Sequence, residues 1–100
     1  MAIFAITFRI HEDSTYRDRY VSVVEAIQQQ TLSTYWDEPT SFYLIESRLN
    51  SAEVADAINA NSSFAENKDL LLVINLSQTK GHKALGQVTS GELRKLMAKR

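Results

Sequence analysis

The chain has no cysteine, one proline and three glycines in 100 residues, and its charges nearly cancel, with 11 Lys and Arg against 12 Asp and Glu. Without cysteine there are no disulfides, thiolate metal sites or cysteine nucleophiles, which fits a reducing compartment; the expected location is the cytoplasm. A net charge of -1 gives no global pull toward nucleic acid or anionic lipid, so any such binding must rest on a local patch. Long apolar runs are missing too. Leu70 to Ile74, like the opening Met1 to Ile6, is far below membrane-spanning length, and the opening residues lack the basic start and long apolar block of a signal peptide. No membrane partner is expected. The glycines form no phosphate-binding fingerprint after a strand, because the KGHKALG stretch from Lys80 to Gly86 has the wrong spacing, so nucleotide hydrolysis is unsupported. A Ser-His-Asp mechanism has only composition behind it.

What is present suits one domain: a hydrophobic content of 44% in 100 residues is enough for a single core. In IFAITFRIHED, Phe4, Ile6, Phe8 and Ile10 fall on one face of a strand, and Ala5, Thr7 and Arg9 fall on the other. Thr15 to Asp18 reads as a capping box, followed at helical spacing by Tyr16, Tyr20, Val23, Val24 and Ile27, so a helix to about Gln30 is predicted. Leu32 to Trp36 and Ser41 to Glu46 form a hairpin around the turn Asp37-Glu38-Pro39-Thr40. Asn50 with Glu53 starts a second helix whose face is Val54, Ala55, Ala57 and Ile58. Leu70 to Leu76 then reads as a strand, with Leu71 and Val73 on the face opposite Leu70, Leu72 and Ile74.

The order strand, helix, strand, strand, helix, strand is an α+β, ferredoxin-like arrangement over residues 1–88, with a four-stranded antiparallel sheet and both helices on one face. Residues 89–100 form a C-terminal extension. Thr89 to Glu92 repeats a capping pattern before Leu93, Leu96 and Met97, and an extra C-terminal strand or helix is expected there or just before it. The second sheet face is left bare. Placing Leu71 and Val73 on it argues for a cover, and a homodimer is the expected one.

Candidate site residues fall into three groups. Arg9, on the bare face with Leu71 and Val73, either pairs across a subunit interface, holds an anion such as phosphate, or blunts a solvated sheet surface. Lys80, His82 and Lys83, with Lys95, Lys99 and Arg100, are the one basic concentration and a candidate contact for nucleic-acid backbone; a solvated loop is the plainer account. His11, Glu12 and Asp13, brought toward Asp37 and Glu38 with Lys68 and Asp69 nearby, offer a weak site for a hard divalent cation, although charged residues gather at wet strand ends in any case. Of Tyr35, Trp36, Phe42 and Tyr43, alternation turns two inward and two outward. Phe4 and Phe8 belong to the core, leaving the sheet without the stacking residues of an RNA-recognition surface.

With its opening strand, its Tyr-rich first helix, SFYLIES and KDLLLVINL, the chain resembles over Met1 to Gly86 the small CRISPR-associated protein 2 family and its relatives, including virulence-associated protein D. The likeness is one of pattern and length. It implies a dimer formed through sheet faces and C-terminal strands, for which Ala84 to Val88 is the candidate extra strand here, and, where aspartates at the end of the first strand pair across that dimer, divalent-metal phosphodiester cleavage. Here Arg9 stands at the aspartate position, and a guanidinium repels magnesium. The leading expectation is therefore a non-enzymatic homodimeric module needing no cofactor, with nucleic acid or a protein as its further partner. The alternatives are a metal-dependent nuclease using His11, Glu12, Asp13 or Asp37 in place of the missing aspartate, and, by fold analogy, a small-molecule-sensing regulatory domain.

Overall fold

The computed structural model describes residues 1–78 and 81–99. Its elements run β1 (Ala2–Arg9), α1 (Tyr16–Gln29), β2 (Tyr35–Trp36), β3 (Phe42–Ser47), α2 (Ser51–Ala60), β4 (Leu70–Asn75), β5 (His82–Gly86) and α3 (Glu92–Ala98). The sheet has five strands in the order β2-β3-β1-β4-β5, and every neighbouring pair is antiparallel. The first four strands and two helices are thus roughly ferredoxin-like. The expected four-stranded sheet is corrected to five, and both an additional strand and a terminal helix are present.

Alternation in β1 produces the packed face as expected: Phe4 and Ile6 are fully buried, with Phe8 and Ile10 close to it. They pack with Val23, Ala26 and Ile27 of α1 and Val54, Ala55 and Ile58 of α2. β4 has the opposite phase from the one predicted. Register sets Leu71 against Phe8 and Val73 against Ile6, so both lie under the helices and are fully buried. The other face instead carries Leu70, Leu72 and Ile74, opposite Arg9, Thr7 and Ala5.

Local signals succeeded where their hydrogen bonds form. At α2, Asn50 Oδ1 accepts from the Glu53 N–H at 2.8 Å while Glu53 Oε1 accepts from the Asn50 N–H at 3.0 Å, a complete capping box. Thr15 makes no such cap. Its hydroxyl donates to Asp13 and accepts from Arg19 Nε, both at 2.9 Å, and is therefore already engaged. Strand β2 is cut to two residues, shorter than the predicted Leu32–Trp36. Helix α3 buries none of its residues.

Gly86 closes β5 in a left-handed conformation, φ 93°. A Cβ there would stand 1.9 Å from the Asp69 carbonyl oxygen, which accepts the Gln87 N–H at 2.8 Å. Glycine is thus required by both backbone angle and space. Gly86→Ala is expected to cost about 1–3 kcal/mol or more of stability, read as a fall in the urea midpoint; an unchanged midpoint would contradict this packing.

Candidate functional site

The sheet face turned away from α1 and α2 is half-buried or exposed along β3, β1 and β4. Opposed residues define its rows: Trp36, Leu44, Ala5, Ile74 and His82 make one, and Phe42, Thr7, Leu72 and Ala84 the next. Ile3 and Glu46 lie at one end, and Arg9 and Leu70 at the other. Trp36 and Ile3 are 44% and 40% exposed, and a dip of about 290 Å³ lies among Ile3, Trp36, Leu44 and Glu46. Beside β5 the face opens into a cleft of about 930 Å³ bounded by His82, Ala84, Gly86, Leu93 and Met97, with Arg94 on its wall. The Nδ1 of His82 is buried without a hydrogen-bond partner.

The aromatic quartet divides as alternation predicts. Trp36 and Phe42 meet edge to face on the open side, centroids 6.1 Å apart, while Tyr35 and Tyr43 pair at 5.4 Å on the helix side. Only Tyr43 of the inner pair is buried. Burial, opposed by Gln28 and reinforced by Asp37, pushes the Tyr43 hydroxyl up from its ordinary pKa.

Of the predicted interface group, Arg9 is exposed on the open face, and Leu71 and Val73 are corrected to the core, where they cannot meet a partner. Among the described residues the basic group is divided between the two faces of β5, and Arg100 lies outside the described residues. His82 stands on the open face opposite Ile74, Lys83 on the helix side opposite Val73, and Lys80 lies outside the described residues. The proposed metal ligands are likewise kept apart: among the described residues, no group of three or more His, Asp or Glu side chains is placed to hold a metal ion. His11 and Glu12 are exposed, and Asp37 lies by Tyr43. The Asp13 carboxylate is occupied by Lys68 Nζ at 2.7 Å, Arg19 Nη2 at 3.0 Å and the Thr15 N–H at 2.9 Å.

Those contacts belong to a buried polar centre in which Asp13, Lys68 and Asp69 come together as expected, around an Arg19 that sequence reasoning missed. Arg19 Nη1 donates to both carboxylate oxygens of Asp69, and its Nη2 donates to the His11 carbonyl at 2.7 Å. Asp69 also accepts the N–H of His11 at 2.8 Å and of Ala65 at 2.9 Å. Burial by itself raises the Asp69 pKa, but Arg19 and these two N–H groups outweigh it and hold the carboxyl below its ordinary value. Lys68, then Arg19 and Thr15, hold Asp13 well below the usual carboxylate range. The Arg19 pKa is raised by Asp69 foremost, against burial, with help from Asp13. With every strong acceptor matched to a donor, this centre ties the loop after β1 to α1 and to the start of β4. It offers no free nucleophile or ligand.

No family model, curated protein or solved structure matches this chain. Among the described residues, no helix is long and apolar enough to cross a membrane.

Proposed function

We infer that this chain is a non-enzymatic, ferredoxin-like interaction module that works as a homodimer, with the open sheet face as the dimer surface. The observation that carries the reading is that Trp36, Phe42, Leu44, Leu72 and Ile74 share the sheet face turned away from α1 and α2, with α3 flanking it beside β5. Apolar surface of this extent is favourable to bury, and a second copy supplies an equally apolar face. The pattern resemblance to the CRISPR-associated protein 2 family agrees with a sheet-face dimer. Arg9 at that family's aspartate position argues against its metal chemistry, and the displaced-metal alternative needs ligands that lie apart here. Exposed cations, Lys83 on β5 and Arg94, Lys95 and Lys99 at α3, make nucleic-acid backbone the further partner to test.

Light scattering coupled to size exclusion tests the reading. The expected mass is twice the 11.3 kDa of the chain, with a larger, salt-sensitive complex when RNA or DNA is added at low salt. A chain that stays monomeric at about 50 µM, above the micromolar constants at the weak end for interfaces of standard size, overturns it.

A further inference from the structure

We propose that the cleft between β5 and α3 binds a small aliphatic carboxylate, with its chain between Ala84 and the Leu93–Met97 side of the helix and its acid group held by Arg94. This goes beyond the dimer reading and does not depend on it. His82, Ala84 and Gly86 form the strand side of the cleft, on the open face opposite Ile74, Leu72 and Leu70. Leu93 and Met97 form the helix side; four positions apart, they lie one above the other on a single stripe. Both are half-buried, while Leu96 is 63% exposed. The helix therefore turns its apolar stripe toward the strand without closing on it.

The gap has a local cause. Ala84 and Gly86 give the strand side almost no side-chain volume, and the Asp69 carbonyl bars a larger residue at Gly86. Across from them α3 buries none of its residues. The space left, about 930 Å³, is of the size that holds small molecules. Its charge is one-sided. The chain has 12 acids against 11 Lys and Arg, yet no Asp or Glu lines the cleft, whose ionisable residues are His82, Arg94 and Lys95. Lys95 already stands 3.7 Å from Glu92. Among the described residues Arg94 takes part in no ion pair, and its guanidinium offers the paired donors that match a carboxylate. The remaining walls are aliphatic, and Met97 adapts readily to an alkyl chain. No aromatic ring lines the cleft, so a nucleic-acid strand would find nothing to stack on and would leave Leu93 and Met97 unused.

Decanoate is the probe and decanol its uncharged counterpart, each titrated into the full chain below the concentration at which it aggregates. Calorimetry gives the affinities, and the methyl NMR signals of Ala84, Leu93 and Met97 give the place. Decanoate is expected to move those signals together and to bind about tenfold tighter than decanol, the margin of a charge-assisted contact. In Arg94→Gln that preference should shrink to about threefold or less while decanol binds as before, because the acid group and Arg94 couple directly. Octanoate, two methylenes shorter, should bind about tenfold more weakly than decanoate. Ala84→Leu fills the strand side and should abolish binding of both probes, with circular dichroism checking that each variant is folded.

No binding of decanoate up to about 1 mM, the weak end of specific recognition, overturns the proposal. So does equal affinity for decanoate and decanol, or decanoate binding untouched by Arg94→Gln or by Ala84→Leu. Signals that move at Trp36 and Phe42 in place of the cleft methyls overturn it as well, because the open face would then be the apolar site. Light scattering on the same samples keeps the two readings apart: a monomer that binds decanoate at the cleft loses the dimer and keeps this site.

Discussion

Asp69→Ala should lose about 3–5 kcal/mol of unfolding free energy, the range found when one partner of a buried ion pair is removed. For a domain whose whole stability is of order 5–15 kcal/mol, that is enough to unfold a substantial fraction of the protein at physiological temperature. The size of the effect follows from what is left behind. Asp69 is fully buried and Arg19 is 5% exposed, so the guanidinium would keep its desolvation cost while losing its nearest counter-charge. The N–H groups of His11 and Ala65 would lose their acceptor as well. Asp69→Asn keeps an acceptor for one of them and should fall between the parent and the alanine variant. Urea denaturation followed by circular dichroism reads the series; an Asp69→Ala midpoint near that of the parent would contradict the buried pair.

The same carboxylates set a pH dependence with a definite sign. Asp13 and Asp69 have folded-state pKa values below their ordinary ones, so at low pH the unfolded chain binds protons that the folded chain refuses. Their contribution is therefore complete above the unfolded carboxylate range, near 4, and is lost as pH falls below it. The urea midpoint should hold steady from neutral pH to about 5 and drop below about 4. In Asp69→Asn that acid-side drop should be shallower.

Leu71→Ala and Leu72→Ala should differ sharply although the residues are neighbours. Leu71 is fully buried against the face of Phe8, and its truncation leaves a cavity under the helices at a cost of about 2–5 kcal/mol. Leu72 stands half-buried on the open face opposite Thr7 and Ala84, so its truncation should cost the monomer about 1 kcal/mol or less, while weakening the proposed dimer. Denaturation at a concentration low enough to dissociate the proposed dimer separates the two effects. Equal losses from the two variants would mean that the sheet faces have been assigned the wrong way round.

This pair of leucines also marks how far the sequence could be read. In β1, Ala5, Thr7 and Arg9 are visibly less apolar than Phe4, Ile6 and Phe8, and the buried face follows from alternation alone. In LLLVIN both alternations are apolar up to the last residue, so the composition is compatible with either phase, and a one-residue slip reverses every side chain. Only pairing with β1 decides it. The capping box at Asn50 was legible because its hydrogen bonds are local. Strand β5, HKALG, has no hydrophobic alternation and owes its existence to the free edge of β4. Arg19 was overlooked although its position carries a signal. It lies between Tyr16 and Val23 on the apolar stripe of α1, where an arginine is buried at great cost unless a partner is waiting, and that partner is 50 positions away. The open face was legible from topology, but its lining was not, because the lining follows from the β4 phase.

The central position of β1 has a consequence for the order in which the chain is made. Its first partner, β3, begins at Phe42 opposite Thr7, and its second, β4, begins at Leu70 opposite Arg9. On an emerging chain, the strand bearing Phe4, Ile6 and Phe8 must therefore wait for both neighbours, with two unpaired edges and α1 alone to pack over it. Such a segment can pair with a neighbouring nascent chain. During that interval the protein depends on the speed with which α1 folds over β1, since α1 is the one packing element made before either partner strand.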